Sequence, residues 1–142
     1  LYELGASQET EEGLVQALER RLRAVEGRSG IHAFFNSTNT VELTPQVQQT
    51  LYQIASESLN NALKHAAATS VIVEVRNDNN EIILMVKDDG RGFNLVTAKE
   101  GAGMGLTNMT MRAVRMGGEL SIVTAVDQGT EIIARIPRES AG

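Results

Sequence analysis

Lys87-Asp88-Asp89-Gly90-Arg91-Gly92-Phe93 closes an apolar run in which Ile82, Leu84 and Val86 alternate with Ile83, Met85 and Lys87. The run reads as a strand buried on one face and largely on the other. Two acids and two glycines then fall within five residues, from Asp88 to Gly92. An Asp at a strand end can aim a fixed acceptor at a ligand. Glycines beside it let the backbone turn sharply and let a flat ligand come close. The same residues also spell an ordinary hairpin turn, because Asp-Gly is a common turn signal. The choice between the two depends on the rest of the chain.

The 142 residues are 42% hydrophobic and carry a net charge of −5, which fits one domain with a sizeable core. Charges are mixed along the chain, so there is no basic footprint for nucleic acid. The chain has no cysteine. Disulfides, cysteine-based zinc sites and thiol nucleophiles are therefore excluded, and a reducing compartment is compatible. No apolar run approaches the roughly 20 residues that span a bilayer, and no signal peptide opens the chain. Its first residue is Leu1, which leads us to expect a piece of a longer protein.

Upstream of the decisive stretch, residues 1–7 read as the end of a preceding element. A helix is expected from about Thr10, with Glu11 and Glu12 in its first turn. Leu14, Val15, Leu18, Leu22 and Val25 recur at helical spacing. Glu19, Arg20, Arg21, Arg23 and Glu26 fill the other face, whose arginines spell either a docking patch or, as such charge patterns more often do, a solvated helix face. Gly27 and Gly30 end the helix. Residues 31–35 read as a strand and 36–40 as a polar turn. His32 has no second ligand nearby and reads as an ordinary strand histidine.

Thr44-Pro45 is a helix start, a cap residue followed by proline at the first helical position. The helix is expected to run to about Ala67, burying Val47, Leu51, Ile54, Ala55, Ser58 and Ala62. Glu57, Asn61 and Lys64 share a different strip, at i, i+4 and i+7, with His65 at its edge. Such a strip can serve a magnesium–phosphate group: an amide oxygen for the hard cation, an amine for phosphate, an acid to orient or deprotonate. It is equally the pattern of a plain polar helix surface. Residues 71–76 and 81–87 pair as a hairpin across 77–80.

Downstream, Gly101, Gly103 and Gly105 stand at every second position, just before the helical pattern of Leu106, Met109, Ala113 and Met116. Glycines before a helix N-terminus make an anion site of free N–H groups, and 94–103 would then be a lid over phosphates. A merely flexible loop has the same composition. Neither the Rossmann spacing nor Gly-Lys-Ser/Thr is present. Gly117-Gly118 stops the helix, and 119–125 and 130–136 are strands. Thr130 opens the last strand, either as a ligand-positioning hydroxyl or as a plain strand former.

Four of these stretches, in this order, resemble a known family. Glu57-Ser58-Leu59-Asn60-Asn61-Ala62-Leu63-Lys64-His65 resembles the N box of sensor histidine kinases. Asp88-Asp89-Gly90-Arg91-Gly92-Phe93 resembles their first glycine box, Asp-x-Gly-x-Gly. Gly101-Ala102-Gly103-Met104-Gly105-Leu106 resembles the second, and Gly129-Thr130 the short motif near the end. Four ordered motifs are far more specific than one. The wording looks most like the subfamily that works with NarL-type response regulators.

The resemblance implies a Bergerat-type ATP-binding fold of the α+β class: a two-layer sandwich with a mixed, mostly antiparallel sheet and helices on one face. It implies that residues 8–138 are the ATP-binding domain, 1–7 a remnant of the upstream dimerisation and phosphoacceptor region, and 139–142 a tail. Asp88 would accept from the adenine amino group, with Thr130 supporting that end. Gly90 and Gly92 would let the backbone pass close to the nucleotide. Asn61 would hold Mg2+ bridging the phosphates, and Lys64 and His65 would lie near phosphate or ribose. Gly101, Gly103, Met104, Gly105 and Leu106 would follow the phosphate chain. Glu57 takes the place of the superfamily's catalytic acid and, with Asn61, would serve the transfer.

The departures from the family pattern are Thr110, where the subfamily usually has a second basic residue, and the lack of an acidic acceptor context around His32 or His65. The phosphoacceptor domain would therefore precede Leu1. The implied function is transfer of the ATP γ-phosphoryl group to a histidine on that domain, in a cytoplasmic location even where the parent is membrane-anchored. The fragment is expected to be monomeric, with a response regulator as the parent's partner. The competing readings are an anti-sigma-type serine kinase or a gyrase- or chaperone-type ATPase, and a non-catalytic nucleotide-binding or docking module. Clamp ATPases need a further domain. Anti-sigma kinases usually begin near their first strand and lack the Lys-His ending of the N box.

Overall fold

The computed structural model describes residues 13–38, 43–64, 67–92 and 103–138. The expected helix start at Thr10, the remnant 1–7, the lid 94–102, His65, Gly101 and the tail 139–142 lie outside these residues. Within them the order is α1 (Leu14–Ser29), β1 (His32–Thr38), α2 (Pro45–Lys64), β2 (Ser70–Asp78), β3 (Glu81–Asp88), α3 (Gly103–Arg115), β4 (Glu119–Thr124) and β5 (Thr130–Pro137).

The strands form one sheet in the order β1-β2-β3-β5-β4. β1 runs parallel to β2 and every other pair is antiparallel, so the sheet is mixed and mostly antiparallel, as the resemblance implied. The register places one residue of each inner-face row beside the next: Val73 beside Val86, Val86 beside Ile132, Ile132 beside Ile122. That face is the core. Val71, Val73, Leu84, Val86, Ile132, Ala134 and Ile136 are all buried there, beneath α1, α2 and α3.

The expected periodicities explain why the helices lie where they do. Leu14, Leu18, Leu22 and Val25 bury one stripe of α1, and Val47, Leu51, Ile54, Ala55, Ser58 and Ala62 one stripe of α2. Each deeply buried Leu or Ile contributes about 1.5–3 kcal/mol of hydrophobic stabilisation. α2 is the central helix and packs on β2, β3 and β5, with α1 on one flank and α3 on the other. Its start is as expected: Thr44 Oγ1 accepts from the N–H of Val47 at 3.2 Å, and Pro45 is the first helical residue.

Several boundaries differ from the sequence expectation. β1 does not turn at Asn36 but continues to Thr38, because its parallel pairing with β2 runs on to Thr38–Arg76. The hairpin loop shrinks to Asn79 and Asn80: Asn77 and Asp78 pair with Ile82 and Glu81, and Asn79 takes the left-handed conformation at φ 59°. Among the described residues α2 runs to Lys64, and Ala67, where the helix was expected to end, has φ 51°. α3 starts at Gly103, so Gly103 and Gly105 belong to its first turn and do not precede it. Ala125 falls outside β4.

The arginine face of α1 is more than solvated surface. β1 is an edge strand, and its Ala33 is buried. The Ala33 N–H donates to Glu26 Oε2 at 2.9 Å, and Arg23 Nη2 donates to the Ala33 carbonyl at 3.1 Å. Arg23 and Glu26 are themselves paired at 2.9 Å. The pair thus satisfies backbone groups that an edge strand would otherwise present to other chains. Glu26→Ala strands the buried Ala33 N–H and should cost about 1–2 kcal/mol. Urea unfolding measures it, and an unchanged midpoint would show that water replaces the carboxylate.

Candidate functional site

The end of the sheet where β3 runs out carries the polar row. Asp88 sits in register between Val71 and Thr130, and Thr130 beside Thr124. Asp88 shares the inner face with Val86 and Leu84 because it continues their alternation. It is 8% exposed, and Thr130 is 7% exposed. A carboxylate at such a depth must have donors. The Gly90 N–H donates to Asp88 Oδ1 at 2.8 Å, and the Thr130 backbone N–H also reaches the carboxylate. Burial nevertheless pushes the Asp88 pKa above the usual carboxylate value. The two N–H donors oppose that rise, and the negative Asp89 adds to it. Thr130 Oγ1 lies 2.8 Å from Thr124 Oγ1, which is 3.2 Å from the Gly129 carbonyl.

The glycines around Asp88 have local reasons to be glycine. Gly92 has φ 64°, and a Cβ there would lie 2.0 Å from the Ala125 carbonyl oxygen. Gly129 has φ 78°, and a Cβ there would lie 2.4 Å from the Asp88 carbonyl oxygen. The loop after β3 and the turn before β5 are thus pressed together, with the Asp127 N–H donating to the Arg91 carbonyl. The resemblance gave Gly92 to the nucleotide, and the structure adds a reason of its own for glycine there, the Ala125 and Gly129 backbone.

A second group forms where α2 meets α3. Glu57 and Asn61 are half-buried on α2, and Lys64 is exposed in its last turn. A Cβ on Gly105 would lie 2.6 Å from Glu57 Oε2, so the Glu57 carboxylate rests against the first turn of α3. The N–H groups of Gly103, Met104, Gly105 and Leu106 open this helix and have no partner within it. The Leu106 side chain is core. Further along the same seam, Ser58 Oγ lies 3.3 Å from Met109 Sδ, and Arg112 Nη1 donates to Gln53 Oε1 at 2.7 Å. Arg112 thereby ties α3 to α2.

Of the expected residues, the structure therefore joins Asp88, Gly90 and Thr130 at the sheet end, and Glu57 with Gly105 at the helix seam. His65 and Gly101 lie outside the described residues. Sequence reading missed Thr124 and Asp89. Thr124 carried no local signal, and only the β4–β5 register places it beside Thr130. Among the described residues, no three His, Cys, Asp or Glu side chains gather to hold a metal on their own. None of their helices is long and apolar enough to cross a membrane.

Residues 46–140 match the family described as histidine kinase-, DNA gyrase B- and HSP90-like ATPases. The chain is 34% identical over 131 residues to the signal transduction histidine-protein kinase/phosphatase DegS of Bacillus subtilis, covering 88% of this chain and 34% of that protein. It is 32% identical over 139 residues to the sensor histidine kinase YxjM of Bacillus subtilis, covering 96% and 33%. The histidine kinase domain of the blue-light activated histidine kinase of Erythrobacter litoralis EL346 superposes with a TM-score of 0.70 at 25% identity, over 88% of this chain and 61% of that one. The chain thus spans about a third of the length of these curated relatives.

Proposed function

Because the chain belongs to the family of histidine kinase-, DNA gyrase B- and HSP90-like ATPases, we propose that it is the ATP-binding catalytic domain of a sensor histidine kinase. In this reading it passes the γ-phosphoryl group to a histidine on a separate dimerisation domain, and the parent kinase serves a response regulator of the NarL type. Residues 8–138 form the domain. It works as a monomeric unit on the cytoplasmic side, whether or not the parent is membrane-anchored.

The observation that carries the reading is Asp88. It is a buried carboxylate at a strand end, held by two backbone N–H groups and bordered by a tight glycine loop. A buried anion is costly unless a ligand donor uses it, and the adenine amino group is such a donor. Thr130 lies beside it in register and supports the same end. The phosphates then extend toward the first turn of α3, where N–H groups without a partner in the helix, and the helix dipole, favour anions. Glu57, which rests on that turn, would orient an attacking imidazole. Catalysis is mainly positioning and charge neutralisation.

Magnesium fits these residues on one condition. Among the described residues no acidic cluster gathers, so Asn61 would offer a hard oxygen ligand and the phosphates would supply others. Lys64 adds positive charge beside it. When bound, the metal would supply neutralisation of the phosphate charge.

The test is calorimetric titration of ATP into this chain with and without magnesium, together with Asn61→Ala. Asn61→Ala should weaken binding about tenfold in magnesium and leave metal-free binding unchanged. Equal losses in both conditions would remove Asn61 from the metal. No binding by the unaltered chain in either condition would overturn the nucleotide reading itself.

A further inference from the structure

In the motif Asp-x-Gly-x-Gly, the second position is written as free. Here it is Asp89, and its surroundings leave it little freedom. Oδ1 accepts from two consecutive backbone N–H groups, Thr69 at 2.8 Å and Ser70 at 2.9 Å. Oδ2 lies 2.6 Å from Thr69 Oγ1, which donates to it. The Asp89 N–H in turn donates to the Ser70 carbonyl at 3.3 Å. These bonds close the mouth of the β2–β3 pair one residue beyond Val71–Asp88. Thr69 also reaches the other side, since its carbonyl accepts from the His32 N–H at 3.0 Å. Asp89 therefore pins the backbone next to Asp88 to the entrance of β2, which is tied to β1.

We propose that Asp89 is a positioning residue for nucleotide binding: by clamping Thr69 and Ser70 it fixes where the Asp88 carboxylate points. This rests on the reading of Asp88 as the adenine acceptor. Position 89 must then carry a short side chain with an acceptor at Oδ1. Asparagine meets that need, because both backbone donors converge on Oδ1. The Thr69 hydroxyl can rotate to accept from an amide NH2 where it now donates to Oδ2. Alanine cannot.

The charge of Asp89 has a separate effect. The Thr69 hydroxyl, with the Ser70 and Thr69 N–H groups, holds Asp89 at a pKa of about 2, so it is ionised throughout the working range. Its negative charge adds to the rise in the Asp88 pKa, of which burial is the larger cause. Asp89→Asn keeps the clamp and removes that charge. Asp88 should then stay ionised to lower pH, and ATP binding should persist further into acid.

The experiment titrates ATP into the chain and into Asp89→Ala and Asp89→Asn across pH, with amide hydrogen exchange read at Thr69 and Ser70. We expect Asp89→Ala to bind ATP at least tenfold more weakly at neutral pH, with fast exchange at both amides. Asp89→Asn should bind within about threefold of the unaltered chain, keep both amides protected, and shift the acid limb of binding to lower pH. The shift of that limb reports the charge of Asp89, whereas the positioning role is read in the rescue of affinity by asparagine where alanine loses it.

Unaltered affinity in Asp89→Ala, or equal losses in the two variants, overturns the proposal. Should Asp89→Ala not fold, Thr69→Val decides: a threefold or greater loss supports the clamp and unaltered affinity overturns it. If the unaltered chain takes up no ATP, the function reading fails and with it the proposed role. The exchange data then report only whether the clamp itself exists.

Discussion

Asp88→Ala should weaken ATP binding by about 30- to 150-fold while leaving the melting temperature within a few degrees of the unaltered chain. On the proposed reading, the affinity loss follows from removing the carboxylate that would accept a charge-assisted hydrogen bond from the adenine amino group. Losing such a bond, with the donor left unpaired in a buried place, costs about 2–3 kcal/mol. Stability should barely change because two effects oppose each other. Burial raises the Asp88 pKa above its ordinary value, so the folded state disfavours the ionised form, and above the ordinary pKa the charge subtracts from stability. Removing it relieves that cost. Against this, the Gly90 and Thr130 N–H groups lose their acceptor.

The same shift gives binding a pH dependence in the unaltered chain. As pH falls through the raised pKa of Asp88, the carboxylate takes up a proton and ATP affinity drops. That limb should vanish in Asp88→Ala, and comparing the two proteins cancels the titration of ATP itself. Calorimetry at several pH values measures both. Unaltered affinity in Asp88→Ala would remove Asp88 from the adenine end.

What the sequence disclosed and what it hid divide along the range of the interaction. The stripes of α1 and α2 were legible because Leu14, Leu18 and Leu22, like Val47, Leu51 and Ile54, repeat at helical spacing within one segment. The cap at Thr44-Pro45 and the stop at Gly117-Gly118 were legible because capping chemistry is local. The extension of β1 through Asn36, Ser37 and Thr38 was hidden. Its residues are polar, and what makes them a strand is pairing with β2 more than thirty residues away. Arg23 and Glu26 read as surface because nothing in α1 announces that Ala33 lies at an open sheet edge.

The site divides in the same way. Glu57, Asn61, Asp88 and the glycines stand out as residue types in a pattern. The reasons for Gly92 and Gly129 do not, because the atoms that exclude a side chain belong to Ala125 and Asp88, across the β4–β5 turn. A glycine in a binding motif suggests room for a ligand, whereas these two make room for the protein's own backbone.

That distinction makes Gly92→Ala the most damaging small substitution we expect in this loop. At φ 64° an alanine pays the left-handed penalty, about 1–2 kcal/mol. Its Cβ would also lie 2.0 Å from the Ala125 oxygen, 2.9 Å from the Ala125 carbonyl carbon and 3.0 Å from the Gly129 oxygen. These are backbone atoms, so no side-chain rotation relieves the overlap, and the loop and the turn must separate. Separation breaks the Asp127–Arg91 bond and loosens the fit of Gly129 beneath Asp88. Overpacking adds about 1–3 kcal/mol, for a combined cost of about 2–5 kcal/mol. For a chain of this size that is a fall of roughly 6–20 °C in melting temperature.

ATP affinity should fall as well, since the displaced turn carries Thr130. Gly27→Ala is the control. It makes the same substitution inside α1, where φ is ordinary and nothing lies within 4 Å of the added methyl. There alanine should stabilise by about 0.5–1 kcal/mol. Thermal and urea unfolding of the two variants should therefore move in opposite directions. A Gly92→Ala protein within about 1 kcal/mol of the unaltered chain would mean that the loop yields freely, and that Gly92 is there for the ligand after all.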